Sequence, residues 1–309
     1  MIEKLKNIDK EKLKKVLLWL SFGACVFIGI IVGLFWFYSD DLPPTAELRN
    51  FTLRTGSEVY DCNGKMIYLF AFEKRKLVSV KELPDHLIDA LIITEDKRFF
   101  RHFGFDPIGF TRAIFADLRS GGYSQGGSTI TQQMARNMFL TLDKTIPRKM
   151  KELILAFRIE ANFSKEEILE IYFNKIFWGR QNHGVETAAL YYFNKHARDL
   201  TLAESATLVG MIQRPNYYDP ISKPENALKR RNHVLSRMRK AKKITQEEYL
   251  AAVATPLQSK DGYMRRFASD YFIEHIRTYL ERKYGTTRLF EGGLRIYTTL
   301  NPEMTAVAD

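Results

Sequence analysis

The stretch Pro84-Asp-His-Leu-Ile-Asp-Ala-Leu-Ile-Ile-Thr-Glu95-Asp-Lys-Arg-Phe-Phe-Arg-His102-Phe-Gly104 places two adjacent acids at the end of an apolar helical pattern. Read as a helix from Pro84 through Ile93 to Phe99, it carries Leu87, Ile88, Leu91 and Ile92 on an arc of roughly 140° at 100° per residue. Glu95 falls near the middle of that arc and Asp96 beyond its edge. A carboxylate aimed where a core should lie is a candidate general acid or base. The competing reading is a helix that has already ended, with Glu95 a loop or capping carboxylate.

Outward from this stretch the pattern is helical from Leu83 to about residue 283. Pro84 and Pro107 suit first-turn positions, and Ser164/Glu167, Thr201/Glu204, Ser222/Glu225 and Thr245/Glu248 have capping-box spacing. The chain is therefore read as mainly α. Upstream, residues 58–72 alternate around Asp61-Cys62-Asn63-Gly64, the chemistry of a tight turn between two strands. Downstream, residues 291–300 read as one strand, which cannot stand alone and so suggests a sequence cut from a longer one.

The composition fits a folded, basic protein of about two units: 309 residues, 45% hydrophobic, net charge +11. Cys25 and Cys62 alone exclude a disulfide framework and a four-cysteine zinc site. From Val16 to Ser39 no charged residue occurs. As a helix this run reaches roughly 36 Å, enough for a bilayer core of about 30 Å. Six lysines precede it and Asp40-Asp41 follow, so the N-terminus is expected in the cytoplasm and residues 40–309 outside. The exported part keeps a charge of +8. Outside a membrane that surplus suits phospholipid or a phosphate-linked substrate rather than nucleic acid. Gly29 and Gly33 form a GxxxG pair, a pattern of helix dimerisation as well as of lipid-facing packing.

Three further segments carry chemistry. Residues 121–133 form a glycine-rich loop entering a helix capped by Ser128 or Thr129, an arrangement that attracts phosphate. Neither a P-loop ending nor GxGxxG is present, so no nucleotide cofactor is expected. Along Ile146–Glu160, Met150, Leu153, Ile154 and Phe157 share one face, while Arg148, Glu152, Leu155 and Ile159 share nearly the opposite one. Arg148 and Glu152 would line a cleft with Lys149 and Lys151 beside them, or form an ordinary exposed pair. The eight cations between Lys229 and Lys243 read as a solvated helix face or a contact for anionic headgroups. His102 reads as a hydrogen-bonded structural histidine.

Taken together, Glu95 to Gly104, Gly126-Gly-Ser-Thr-Ile-Thr-Gln-Gln133 and Arg148-Lys-Met-Lys-Glu152 resemble the first three motifs of the peptidoglycan glycosyltransferases found in class A penicillin-binding proteins. Ile168 to Asn174 with Gly179 resembles the fourth, and Leu202 to Ala206 through Gln213-Arg-Pro215 the fifth. The resemblance implies a lysozyme-like fold of two lobes, arranged as a cytoplasmic tail (1–15), a transmembrane helix (16–39), a stalk and hairpin (40–82), a glycosyltransferase domain (83–255) and a linker leading toward a transpeptidase domain (256–309). It implies lipid II and the growing glycan strand as partners, besides membrane lipids and either a second copy or other wall-synthesis proteins. It implies catalytic roles for Glu95 and Glu152, the latter holding a divalent cation, Mg²⁺ or Mn²⁺. Asp96, Phe99 and His102 would shape the site, and Ser128, Thr129 and Gln133 border the substrate. Arg136, Arg148, Lys149 and Lys151 would face the pyrophosphate, with Arg136 standing where many members have lysine. Met134, Met138, Phe139 and Leu140 would dip into the outer leaflet or fill a core helix. No Ser-x-x-Lys, Ser-x-Asn or Lys-Thr-Gly occurs in these residues, so the penicillin-sensitive reaction is not expected of them. The alternatives are a membrane-anchored muramidase or lytic transglycosylase, which needs no such cation cluster, and an inactive scaffold.

Overall fold

The computed structural model describes residues 10–39, 42–43, 56–70, 77–120, 127–140, 145–180, 182–257, 270–301 and 304. The described chain is mainly helical. In order it forms α1 (Lys10–Ser39), strands β1 (Ser57–Tyr60) and β2 (Met66–Phe70), α2 (Asp85–Glu95), α3 (Pro107–Ser120), α4 (Ile130–Phe139), α5 (Ile146–Asn162), α6 (Lys165–Lys175) and α7 (Val185–Phe193). There follow α8 (Leu202–Met211), α9 (Pro224–Lys240), α10 (Gln246–Ala254), α11 (Asp270–Tyr284), α12 (Thr286–Glu291) and β3 (Arg295–Tyr297).

Local chemistry accounts for most helix starts. Thr129/Gln132, Ser164/Glu167, Thr201/Glu204 and Thr245/Glu248 form reciprocal capping boxes, each satisfying two backbone donors that a helix start leaves open. The expected box at Ser222/Glu225 does not form. Pro224, with φ preset for a first helical position, starts α9 after Lys223, and the Ser222 amide instead donates to Asp219 Oδ1 at 3.1 Å. Pro84 caps α2 from outside, and Pro107 is the first residue of α3.

Among the described residues two hydrophobic cores result. The larger gathers Leu87 and Leu91 of α2, Ile130 of α4, Ile154 and Ile159 of α5, Tyr172 and Phe173 of α6, and Trp178, all nearly or fully buried. The smaller joins Val59, Ile67 and Phe70 of the hairpin to Ile273, Leu280, Leu289 and Leu300. The hairpin forms as expected, with Asp61 Oδ1 accepting from the amides of Asn63 and Lys65 and Gly64 at φ +76°. The last strand, however, does not stand alone. β3 runs parallel beside β1 in a sheet of order β2-β1-β3, with Val59 opposite Ile296. This pairing spans more than 230 residues, beyond the reach of any local pattern.

The apolar run at 16–39 lies within one continuous helix, α1. Among the described residues no helix is long and apolar enough to cross a membrane; the side chains at 16, 20, 24, 27, 28, 30 and 31 lie outside that set. Arg158 of α5 reaches the end of α1, donating to the carbonyls of Ser39 at 3.2 Å and Pro43 at 2.9 Å and to the Ser39 hydroxyl.

Candidate active site

Glu95 is the last residue of α2, so the helix ends sooner than the sequence pattern suggests, four residues before Phe99. A short 3-10 turn, Phe99–Arg101, follows. The early end separates the two acids. Both line a cleft of about 700 Å³, but Glu95 is half-buried, whereas Asp96 caps the helix and is 6% exposed.

Asp96 ties the end of α2 to the start of α4. Its carboxylate accepts from His102 Nε2 at 2.9 Å and from the Ile130 amide at 3.0 Å, a negative group at a helix N-terminus. Thr129 adds a bond from Oγ1 to the Gly104 carbonyl at 2.7 Å. Gly104 needs its missing side chain. It sits at φ +77°, where a Cβ would stand 3.0 Å from the Ala156 backbone of α5. Phe99 is fully buried, with Lys165 Nζ 4.4 Å from its ring centre. Phe99 and His102 therefore support the site from behind, and the structural reading of His102 agrees with its ring contacts.

On α4, Gln133 faces Glu95. Its Nε2 donates to Glu95 Oε2 at 3.0 Å, while its Oε1 accepts from the Tyr172 hydroxyl at 2.9 Å. Ser128, Thr129 and Arg136 line the same cleft. Residues 121–126 of the glycine-rich loop lie outside the described residues.

A second cluster stands on α5. Glu152 is fully buried, with Lys149 Nζ 2.7 Å from Oε2 and Arg148 Nε 3.2 Å from Oε1. Lys149 Nζ also donates to Ser128 Oγ at 2.7 Å, which joins this cluster to the cleft rim. Lys151 lies half-buried on the same helix. Leu155 and Ile159 share the buried face with Glu152, while Met150, Leu153 and Phe157 are half-buried, so both faces are covered to different degrees. The donor set does not fit a protein-held divalent cation. Both Glu152 oxygens face cationic nitrogens, and among the described residues no three His, Cys, Asp or Glu side chains gather as a metal site.

The basic run at 229–243 is not a uniform solvated face. Arg230, His233, Arg237 and Lys240 line the cleft with Glu95, joined by Arg112 of α3. Their spacing of three, four and three residues is one helical stripe, the signal that would have separated them from their neighbours. Arg237 Nη1 donates to the Thr94 carbonyl at 2.9 Å. Burial lowers the arginine pKa from its ordinary value; Glu95 opposes this, and Arg230 and Arg112 reinforce it. Burial, then Arg230, Arg237 and Lys240, also lower the pKa of His233 and favour its neutral form. Arg231, in contrast, points inward and bonds the carbonyls of Thr255 at 2.6 Å and Val253 at 2.8 Å, closing the end of α10.

The outer-leaflet expectation for α4 needs correction. Met134 is 1% exposed, and Met138, Phe139 and Leu140 pack half-buried on the larger core. Exposed apolar side chains occur instead on and before α3, at Phe100, Phe103, Ile108, Phe115 and Leu118.

Comparison with known proteins gives consistent findings. Residues 63–239 match the Transglycosylase family model. The chain is 42% identical over 289 residues to Penicillin-binding protein 1A of Aquifex aeolicus, covering 94% of this chain and 39% of that protein. It is 43% identical over 288 residues to Penicillin-binding protein 1A of Vibrio cholerae, covering 92% and 35%. The crystal structure of Penicillin-Binding Protein 1A from Haemophilus influenzae superposes with a TM-score of 0.50 at 27% identity, over 84% of this chain and 29% of that one. The chain thus spans less than two fifths of the length of these relatives.

Proposed function

The chain belongs to the transglycosylase family, and from that membership we propose that it is a peptidoglycan glycosyltransferase that polymerises lipid II into β-1,4-linked glycan. The observation that carries the proposal is the cleft itself. Of its three carboxylates, Asp96 bonds His102 and the Ile130 amide and Asp106 pairs with Arg98 at 3.3 Å, while Glu95 shares the cleft with Arg112, Arg136, Arg230, Arg237 and Lys240, the composition expected where a hydroxyl is deprotonated beside a departing diphosphate. Cleavage of a sugar–sugar bond releases no such anion and would not call for these cations, which weighs against the lytic alternative.

In this reading the 4-hydroxyl of the acceptor sugar attacks the anomeric carbon of the donor. Glu95 takes the hydroxyl proton as the carbon–oxygen bond forms. The bond to the undecaprenyl diphosphate breaks on the opposite face, its electron pair leaving with the diphosphate. The α-linked donor thereby becomes a β-linked product. Charge-assisted bonds from the arginines would stabilise the departing oxygens. The Arg148–Glu152–Lys149 cluster supports a role in holding the cleft rim through Ser128, with Glu152 orienting the two cations. No step is assigned to a protein-held metal ion, because Glu152 already faces cations on both oxygens; Mg²⁺ and Mn²⁺ are therefore varied in the assay.

The two-lobed, lysozyme-like arrangement is supported by a cleft lined by side chains of α2, α3, α4 and α9. We further assign α1 to a single membrane span with the catalytic domain on the outer face. Leu18, Trp19, Phe22, Trp36 and Phe37 stand exposed along it, as lipid-facing side chains would. The apolar side chains of α3 would rest against the same leaflet.

The test is incubation of the detergent-solubilised protein with labelled lipid II, with Mg²⁺, Mn²⁺ or neither, beside Glu95→Gln. Polymer that muramidase digests, made by the parent and not by the variant, is the expected result. Equal polymer from both would remove Glu95 as the base, and shortening of preformed glycan would replace the reading with a lytic one.

A further inference from the structure

We propose that Tyr172 is a positioning residue for Glu95, acting through Gln133. The inference rests on the reading of Glu95 as the base and deepens it. Tyr172 lies on α6, is 1% exposed, and belongs to the larger core. A phenylalanine would fill nearly the same volume without burying a hydroxyl, which costs free energy unless that hydroxyl is bonded. Here the hydroxyl bonds Gln133 Oε1 at 2.9 Å, and the other end of the same amide bonds Glu95 Oε2 at 3.0 Å.

The direction of these bonds gives them a function. A glutamine side chain can present either an acceptor oxygen or a donor nitrogen to a neighbour. An ionised carboxylate requires the donor. A phenol that donates to Oε1 holds the amide in the one orientation that turns Nε2–H toward Glu95. Burial first, and then the negative charge of Glu95, hold the Tyr172 phenol pKa well above its ordinary value, with Arg136 opposing; the phenol therefore remains a donor. Gln133, which the family resemblance places at the substrate border, has both polar ends engaged by protein and acts as the link. Because α6 is anchored in the core and α2 ends at Glu95, the relay places the carboxylate against a rigid element instead of leaving it to the end of a helix.

The experiment uses the full chain in detergent with labelled lipid II and compares Tyr172→Phe, Gln133→Met and the double variant with the parent. Tyr172→Phe is expected to lower kcat about 10-fold, with KM within about 2-fold and a melting temperature close to the parent's. The double variant is expected to lose no more than Gln133→Met alone, because the two changes break one relay. Losses that multiply in the double variant, or a loss carried by KM, would overturn the proposal, as would an unchanged kcat in Tyr172→Phe. If Tyr172→Phe does not fold, Gln133→Met, which leaves Tyr172 in place, must show the kcat loss by itself, and a parental kcat there overturns the relay. Failure of the relay leaves Glu95→Gln inactive, whereas polymer from Glu95→Gln removes the base reading on which the relay rests.

Discussion

Arg237 Nη1 donates to the Thr94 carbonyl at 2.9 Å, fastening the basic helix α9 to the last turn of the helix that delivers Glu95. Carbonyls in a last turn have no partner within their own helix, and this one is satisfied from the neighbouring helix α9. Arg237→Ala should free the end of α2 and remove a cation from the cleft, lowering polymerisation about 10- to 100-fold. Arg237→Lys should recover only part of the rate, because an ammonium is a point charge without the planar fork. Initial rates on labelled lipid II would distinguish the two variants, and equal rates for Arg237→Ala and the parent would refute the role.

Glu152 is fully buried between two cations. Glu152→Gln removes the negative charge that Arg148 and Lys149 share. Because their side chains are 15% and 43% exposed, the cost should fall below the ~3–5 kcal/mol of a wholly buried broken pair. Denaturant unfolding of Glu152→Gln should therefore show a moderate loss of stability. Lys149→Met, which keeps the Arg148 pair and removes the more exposed partner, should lose less. The opposite order of the two variants would argue that Glu152 is held by something other than this cluster.

Gly104→Ala should destabilise the fold by about 1–2 kcal/mol from backbone strain alone, since its φ of +77° is unfavourable for a residue with a Cβ. The new methyl would also meet the Ala156 backbone at 3.0 Å, and backbone cannot swing aside. A drop in melting temperature of several degrees is expected. Activity should fall with it, because Thr129 bonds the Gly104 carbonyl at the start of α4. A melting temperature equal to the parent's would contradict both arguments.

Asp219 sets an acid limit. Burial alone would raise its pKa, but the bond from Arg180 at 2.6 Å and the amides of Ile221 and Ser222 outweigh it and hold the pKa below 3.8. The unfolded chain then binds the proton more readily than the folded one. The stabilisation is complete above the ordinary Asp range and is lost as pH falls through the folded pKa. Asp219→Asn should thus be less stable than the parent at neutral pH. The gap should narrow as pH falls below about 4, which unfolding curves at pH 7, 5 and 3.5 would reveal. A gap independent of pH would mean that the carboxylate's charge is not what matters there.

The relation of sequence to structure differs from residue to residue. The capping pairs at Ser164, Thr201 and Thr245, the hairpin turn at Asn63-Gly64 and the place of Glu95 beside an apolar face were legible in the chain, because each depends on neighbours within about four residues. Ser222 shows the limit even at that range: its spacing to Glu225 was right, but Pro224 chose the helix start.

What the sequence by itself determined is the mainly helical character, the ordered motifs and the identity of the candidate base. The division of labour among the cations came only with tertiary structure. Arg230, Arg231 and Arg237 belong to one basic run in the chain, yet Arg230 and Arg237 line the cleft, Arg237 also holds the end of α2, and Arg231 closes α10 from inside. The same is true of β3, which finds β1 across the length of the protein, and of Tyr172, whose hydroxyl gains meaning only where α6 brings it to Gln133. Periodicity records which face of a helix is buried, but the partner on that face is set by packing between elements far apart in sequence, and it is the partner that gives a charged or hydroxyl group its role.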